Sequence, residues 1–229
     1  MTTAAQVRKL VQPLLDSNRD LAWVGRQIYL NPVRHFGRTI LIDRILDPDG
    51  FRPQWAVLHL FQLRTSFSLS WGEWLSKPSG EMRGSWLMYD PDVAAQLIEA
   101  IERNALPTLR AMQTLDDYLA YVSVNYFRHQ LYEWPTAKIV LDVALGNLEA
   151  ARLLCAQNLD SWSIERPHHT ESKKAELRRL CGLCALLQQD DRAGLVRLLH
   201  EWEAQSVKNL KIEHLWEPTP FPLELQLAK

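Results

Sequence analysis

The chain has 229 residues, 47% of them hydrophobic and 23% charged, with a net charge of -1 at pH 7. This composition is typical of a folded globular protein and excludes intrinsic disorder. A charge near zero gives no general attraction to nucleic acid or to an anionic membrane. No stretch approaches the roughly 18 apolar residues of a membrane span, and the first apolar run, broken by Gln12, Pro13 and Asp16, does not resemble a signal peptide. Three cysteines make no disulfide framework, so we expect a cytoplasmic protein.

The first 46 residues predict one short helix followed by strands. Residues 4–16 have the helical spacing of an amphipathic segment. Residues 21–30 and 38–46 are rich in aliphatic and β-branched residues, and the second segment suits a central strand that is covered on both faces. Asn31-Pro32 and Gly37 are turn signals that mark the connection between them.

Residues 54–71 alternate between two kinds of side chain over an unusual length. The odd positions, from Trp55 to Trp71, are nearly all apolar, which predicts a strand with one face against a core. The even positions become polar from Gln62 onward, so we expect solvent or a partner to meet the sheet there. The turn sequence Asp47-Pro-Asp-Gly50 predicts an antiparallel hairpin between residues 38–46 and 54 onward.

The alternating segment is too long for one strand of a small domain. We therefore expect a bend near residues 62–65, and the Gly- and Pro-containing stretch 72–84 predicts a loop. Residues 85–89 are predicted to add an edge strand.

Helical patterns replace the strands from residue 90 onward. Asp90-Pro91 predicts a helix start, and Thr114 to Asp117 resembles a capping box. Further helices are predicted over 135–146, 148–158, 171–189 and 191–207, with an extended tail from Glu217.

Two short phrases, residues 145–151 and 187–193, predict tight turns between consecutive helices. The first phrase resembles the turn of a tetratricopeptide-type hairpin over seven residues only. It indicates helical hairpins and not a solenoid, which needs several repeats.

These patterns predict an α+β fold, an N-terminal antiparallel sheet followed by a C-terminal bundle of helical hairpins. We expect residues 1–89 to form the sheet with its short helix, and residues 90–229 to form a helical region packed against it as one continuous structure. The sequence contains no Gly-rich phosphate loop, serine elbow or HExxH motif.

Cys181 and Cys184 form the only short motif with chemical associations. A redox pair belongs at a helix start, whereas these cysteines fall within a predicted helix and share an apolar face, which favours a structural role. A zinc site needs two more ligands, for which Cys155 and His200 are conceivable. We predict no cofactor and keep Cys181 and Cys184 as candidate metal ligands.

His35 and His59 are the candidate catalytic residues, because a histidine near a carboxylate can act as an acid or base. His59 lies on the apolar side of its strand, which also suits a hydrogen-bonded core histidine. Arg34, Arg38 and Arg44 could bind an anion. The alternative is a strand surface with exposed charges.

The Gly- and Pro-containing loop is flanked by an aromatic stretch, in which Trp74 and Trp86 are candidate binding residues beside Trp71, Met88 and Tyr89. The alternative is that Trp71 and Trp86 form the seam where helices cover the sheet. The nine tryptophans, the helical hairpins and the lack of catalytic motifs favour a non-catalytic interaction protein, immunity-like or adaptor-like, with a protein partner. The alternative is a small enzyme that acts on an anionic substrate through the histidines and arginines. Neither hypothesis calls for a nucleic-acid or membrane partner.

Overall fold

A computed structural model of the chain describes residues 2–63, 72–78, 86–124, 135–158 and 169–227. The fold is α+β, as predicted, with an antiparallel sheet in the first part of the chain and helices in the second. Its internal contacts divide the chain into two compact units. Unit 1 comprises Met1–Leu60, Arg64–Asp117 and Val207–Pro218, and unit 2 comprises Phe61–Leu63, Tyr118–Ser206 and Thr219–Lys229.

Unit 1 is built on the antiparallel sheet. The strands are β1 (Leu21–Val24), β2 (Gln27–Leu30), β3 (Phe36–Arg44), β4 (Gly50–His59), β5 (Gly72–Trp74) and β6 (Trp86–Leu87). They pair in the order β1-β2-β3-β4-β5, and β6 also pairs with β4. The segment 21–30, predicted as one strand, is a hairpin of two, and the predicted edge strand near residue 86 is confirmed as β6.

The hairpin of β3 and β4 is confirmed. Its residues pair continuously from Phe36 opposite His59 to Arg44 opposite Phe51. The turn closes where the sequence predicts it, because the Gly50 amide donates to the Asp47 carbonyl at 3.1 Å. The chain bends at residues 60–62 after β4 ends. The rest of the predicted bend, Trp71 and most of the predicted polar side at 64–70 lie outside the described residues.

Both faces of β4 are covered within unit 1. One face of β4 carries its odd-numbered residues, such as Val57. Arg38 lies opposite Val57 on β3, and its side chain donates to the carbonyl of Leu109 in a following helix. On the even side, Leu58 and Leu60 belong to a buried cluster with residues from the end of the chain. The other buried members of this cluster are Tyr29, Val33, Val207 and Ile212.

The described helices of unit 1 are α1 (Ala4–Ser17), α2 (Val93–Ala100), a π-helical turn (Ile101–Ala105) and α3 (Leu106–Ala111). The predicted start at Asp90-Pro91 is two residues early, because Asp90 forms a turn whose carboxylate accepts from the Asp92 amide before α2 begins. The next helix, α4 (Leu115–Val124), begins in unit 1 and continues into unit 2. Its predicted capping box is confirmed by reciprocal bonds between Thr114 and Asp117.

Unit 2 is helical in its described residues, with α5 (Pro135–Leu145), α6 (Leu148–Asn158), α7 (Glu171–Gln188), α8 (Arg192–Leu210) and α9 (Pro222–Leu227). The last residues of α8, from Val207, and a 3-10 turn (Glu213–Leu215) belong to unit 1. The two predicted tight turns, after α5 and after α7, are confirmed. The prediction of an extended tail is wrong for α9, because proline is well suited to the first position of a helix.

Candidate functional site

Arg38 is a buried arginine of unit 1 whose hydrogen bonds are made inside the fold. Its guanidinium donates to the carbonyl of Pro32 at 3.0 Å and to that of Leu109 at 3.4 Å. Burial lowers the pKa of Arg38, and the neighbouring charge of Arg34 lowers it further, whereas Asp20 opposes the change. These bonds tie β3 to α3 and to the segment after β2, which is a structural role.

The three candidate arginines do not converge on one site. Arg34 is partly exposed and its Nη2 lies 3.5 Å from the Glu217 carboxylate. Arg44 is six residues beyond Arg38 on β3, which places the two Cα atoms about 20 Å apart. An anion cannot therefore contact Arg34, Arg38 and Arg44 together.

Both candidate histidines lie in the interior of unit 1. His35 and His59 are buried, and His59 pairs with Phe36 across the hairpin. Buried histidines in such positions usually make hydrogen bonds that hold a core together. Their burial agrees with the interpretation of core histidines.

A group of exposed large side chains surrounds the loop end of the hairpin in unit 1. Leu46 is 104% exposed, Tyr89 is 72% exposed and Trp74 is 50% exposed. We call these three residues the tip patch. Exposed leucines are common singly, but an exposed cluster with two aromatic residues marks a surface for binding.

Trp74 lies on β5 and Tyr89 follows β6, both of which pair with β4, and Leu46 lies in the loop between β3 and β4. Trp74 on β5 lies opposite Gln54, and the Arg52 guanidinium stands 5.0 Å from the centre of its ring. Arg52 also lines an open concavity with Leu46 in the hairpin loop. Tyr89 follows β6, and the neighbouring Met88 amide donates to the Asp49 carbonyl at 2.9 Å. Arg52 therefore connects Trp74 with the concavity that Leu46 lines.

Of the two candidate tryptophans, only Trp74 lies at the surface. Trp86 is fully buried, its ring stacks on Phe51 at 6.1 Å, and its Nε1 donates to the Leu75 carbonyl at 3.3 Å. Trp86 is therefore a core residue of unit 1 and not part of a binding surface. Sequence reasoning missed Leu46, although this residue directly precedes the turn at Asp47.

The cysteines of unit 2 are arranged differently from the predicted pair. Cys184 on α7 forms a disulfide with Cys155 on α6, and both are buried, whereas Cys181 is free and partly exposed. A disulfide sulfur is not a thiolate ligand, so in this oxidised form Cys181 and Cys184 cannot bind a metal together. Among the described residues, no group of three His, Cys, Asp or Glu side chains is placed to hold a metal ion.

His200 on α8 lies between two carboxylates of unit 2, an arrangement that sequence reasoning missed. Its Nε2 is 2.9 Å from Glu224 of α9, and its Nδ1 is 3.6 Å from the buried Glu203. The imidazole also packs on the ring of Phe221, with 4.8 Å between their centres. These contacts fasten α9 to α8, and the spacing of Glu203 three residues after His200 was the available signal.

No helix in the described ranges is both long enough and apolar enough to cross a membrane. No protein-family model, curated protein or solved structure matches the chain.

Proposed function

We propose that this is a non-catalytic interaction protein that binds a protein partner through the tip patch. The observation that carries the proposal is the exposure of Leu46, Trp74 and Tyr89 in or beside the β3–β4 hairpin, with Arg52 contacting the Trp74 ring and lining the concavity that holds Leu46. Tryptophan, tyrosine and arginine are the residues that most often supply the energy of protein–protein binding. Arg44 and Arg52 border the same concavity as Leu46.

The sheet supports the proposal because it holds the patch in a defined geometry. Trp74 is fixed by pairing with β4 and by the Arg52 side chain beneath its ring. A surface that is ordered before binding loses less conformational entropy when the partner docks. The tip patch therefore combines exposed apolar area with a rigid support.

An adaptor-like or immunity-like role is the form of this proposal that we favour, since such proteins act by forming a complex. The proposal includes a cytoplasmic location, with no cofactor and no nucleic-acid or membrane partner. The net charge of -1 supports the last point, because it gives no general attraction to nucleic acid or to an anionic membrane.

The test begins with affinity purification of the full chain from its native host, followed by mass spectrometry. The captured partner is then purified, and its dissociation constant is measured with the wild type and with Leu46→Asp, Trp74→Ala and Tyr89→Ala. We expect Trp74→Ala to weaken binding about 30-fold, which corresponds to a hot-spot loss of about 2 kcal/mol.

Leu153→Asp is the matched control, because Leu153 on α6 is also an exposed leucine, at 60%. It should leave the dissociation constant unchanged. The proposal fails if no stoichiometric partner is captured, or if the tip-patch variants and Leu153→Asp bind the partner equally well.

A further inference from the structure

Unit 2 brings all three cysteines of the chain to one place along α7. Cys184 is bonded to Cys155 of α6, with 6.2 Å between their Cα atoms. Cys181 lies one turn before Cys184 on α7 and carries the free thiol. A free thiol is therefore the helical neighbour of a disulfide.

The sulfur of Cys184 is within reach of both other cysteines. Side chains three residues apart on a helix have Cβ atoms about 5 to 6 Å apart, whereas a disulfide holds its Cβ atoms about 3.5 to 4.5 Å apart, so a bond between Cys181 and Cys184 requires this turn of α7 to tighten by about 1 to 2 Å. Cys155 and Cys184 are buried, whereas Cys181 is partly exposed. An attacking sulfur must be accessible, and Cys181 is the partly exposed one of the three.

Gly182 stands between the two cysteines of α7, and no packing contact requires a glycine there. A methyl group at Gly182 would meet nothing within 4 Å. Glycine within a helix loosens the backbone. That freedom allows α7 to adjust its turn when a short bond forms between Cys181 and Cys184.

We propose that α7 carries a thiol–disulfide exchange site in which Cys181 is the attacking thiol. The Cys181 thiolate attacks the sulfur of Cys184, and the bond between Cys184 and Cys155 breaks. The bonding electrons leave with the Cys155 sulfur, which takes up a proton from solvent in place of the one that Cys181 lost. One disulfide and one thiol are present before and after, so the exchange needs no oxidant or reductant.

The exchange moves the cross-link from between two helices to within one. While Cys155 is bonded to Cys184, α6 is covalently held to α7. Once Cys181 is bonded to Cys184, α6 is held to α7 by noncovalent contacts, among them the hydrogen bond from Arg152 to the Leu187 carbonyl at 3.1 Å. The site therefore sets whether the contact between α6 and α7 is covalent.

The experiment maps disulfides in the full chain. Purified protein is oxidised with glutathione disulfide, freed of it, held at pH 8 and quenched with acid. It is then denatured, labelled with a maleimide at low pH, digested without reductant and analysed by mass spectrometry. We expect both the Cys155–Cys184 and the Cys181–Cys184 peptides, with the label divided between Cys181 and Cys155.

Cys181→Ser is the decisive variant, because it removes the attacking thiol and leaves the observed disulfide in place. The amount of maleimide-labelled Cys155 peptide should be about tenfold or more lower in this variant than in wild type. Gly182→Ala should lower the fraction of the Cys181–Cys184 species.

Two results overturn the proposal. One is a wild-type protein that holds a single disulfide species after the incubation, whichever species that is. The other is equal labelling of Cys155 in wild type and Cys181→Ser, which assigns the opening of the disulfide to another route.

Discussion

Arg110 of α3 holds the short segment between α1 and β1. Its guanidinium donates to both carboxylate oxygens of Asp20, at 2.8 and 2.9 Å, and to the Asn18 side chain at 2.7 Å. The hydrogen bond from Arg110 is the main reason why the pKa of Asp20 lies below its ordinary value. A carboxyl group with a lowered folded-state pKa stabilises the fold above its unfolded pKa, and this stabilisation is lost as the pH falls through the folded-state value.

Asp20→Asn should therefore lower the free energy of unfolding at pH 7, and the difference from wild type should disappear as the pH falls below about 4. Both partners are partly exposed, so the loss should be about 1 kcal/mol or less. Urea unfolding at several pH values measures it. Glu99→Gln is the control, because it removes a carboxylate charge from a more exposed pair, that with Arg103. It should lower the free energy of unfolding by less than Asp20→Asn does. An Asp20→Asn deficit of the same size at pH 3 and pH 7 would contradict the ion-pair explanation.

Phe221 is the buried anchor of the last helix of unit 2. Its ring packs edge-on against Phe61 at 5.9 Å and contacts His200. Phe221→Ala should lower the free energy of unfolding by about 3 to 5 kcal/mol, because it leaves a cavity. Denaturant unfolding measures the loss, and Leu225→Ala, at an exposed position of the same helix, should change it little. A similar effect of the two substitutions would show that α9 is not anchored by this ring.

The turn between α5 and α6 depends on a backbone conformation that favours glycine. Gly146 has a φ of +81°, and a Cβ there would meet the side chain of Gln226 at 2.4 Å. We expect Gly146→Ala to lower the free energy of unfolding by about 1 to 2 kcal/mol. Gly182→Ala, in a helix with open space around it, should raise it by about 0.5 to 1 kcal/mol. Thermal unfolding measures whether each substitution raises or lowers the stability. A loss of stability in Gly182→Ala as well as in Gly146→Ala would show that the α7 backbone needs Gly182.

Turns and helix caps were predictable from the sequence because residues close together in the chain determine them. The hairpin turn at Asp47–Gly50 and the capping box at Thr114 are set by residues within four positions of one another. Two errors have local causes as well. Residues 21–30 are divided by a turn at Gly25 whose flanking residues continue the strand pattern, and proline at residue 222 starts a helix although it was read as a sign of extended chain.

The disulfide should stabilise unit 2 by restricting the unfolded chain. Its cysteines are 29 residues apart, and closing such a loop contributes about 3 to 4 kcal/mol in the chain-entropy model. Reduction should therefore speed amide hydrogen exchange in peptides from α6 and α7 more than in peptides from β3 and β4. Mass spectrometry of exchange with and without dithiothreitol measures this, with Cys184→Ser, which removes the sulfur common to both disulfides, as the control that reduction should not alter. An equal increase throughout the chain would contradict a stabilisation confined to unit 2.

The parts of the candidate site that were missed depend on contacts between distant residues. Trp86 and Trp74 look alike in sequence, yet the first packs on Phe51 in the core and the second stays exposed. Nothing near Cys184 in the sequence distinguishes Cys155 as its partner over Cys181. Exposure and pairing of this kind are set by which elements meet, which local patterns do not encode.

The end of α8 and the segment after it complete the sheet unit with residues far along the chain. Val33 and Trp216 form a parallel bridge, and Val207 and Ile212 cover the side of β4 that carries Leu58 and Leu60. During synthesis at about 5 to 20 residues per second, this cover emerges roughly 10 to 40 seconds after Val33. In that interval the nascent sheet has an apolar face without its native cover, which makes it a substrate for chaperones and a point at which misassembly can begin.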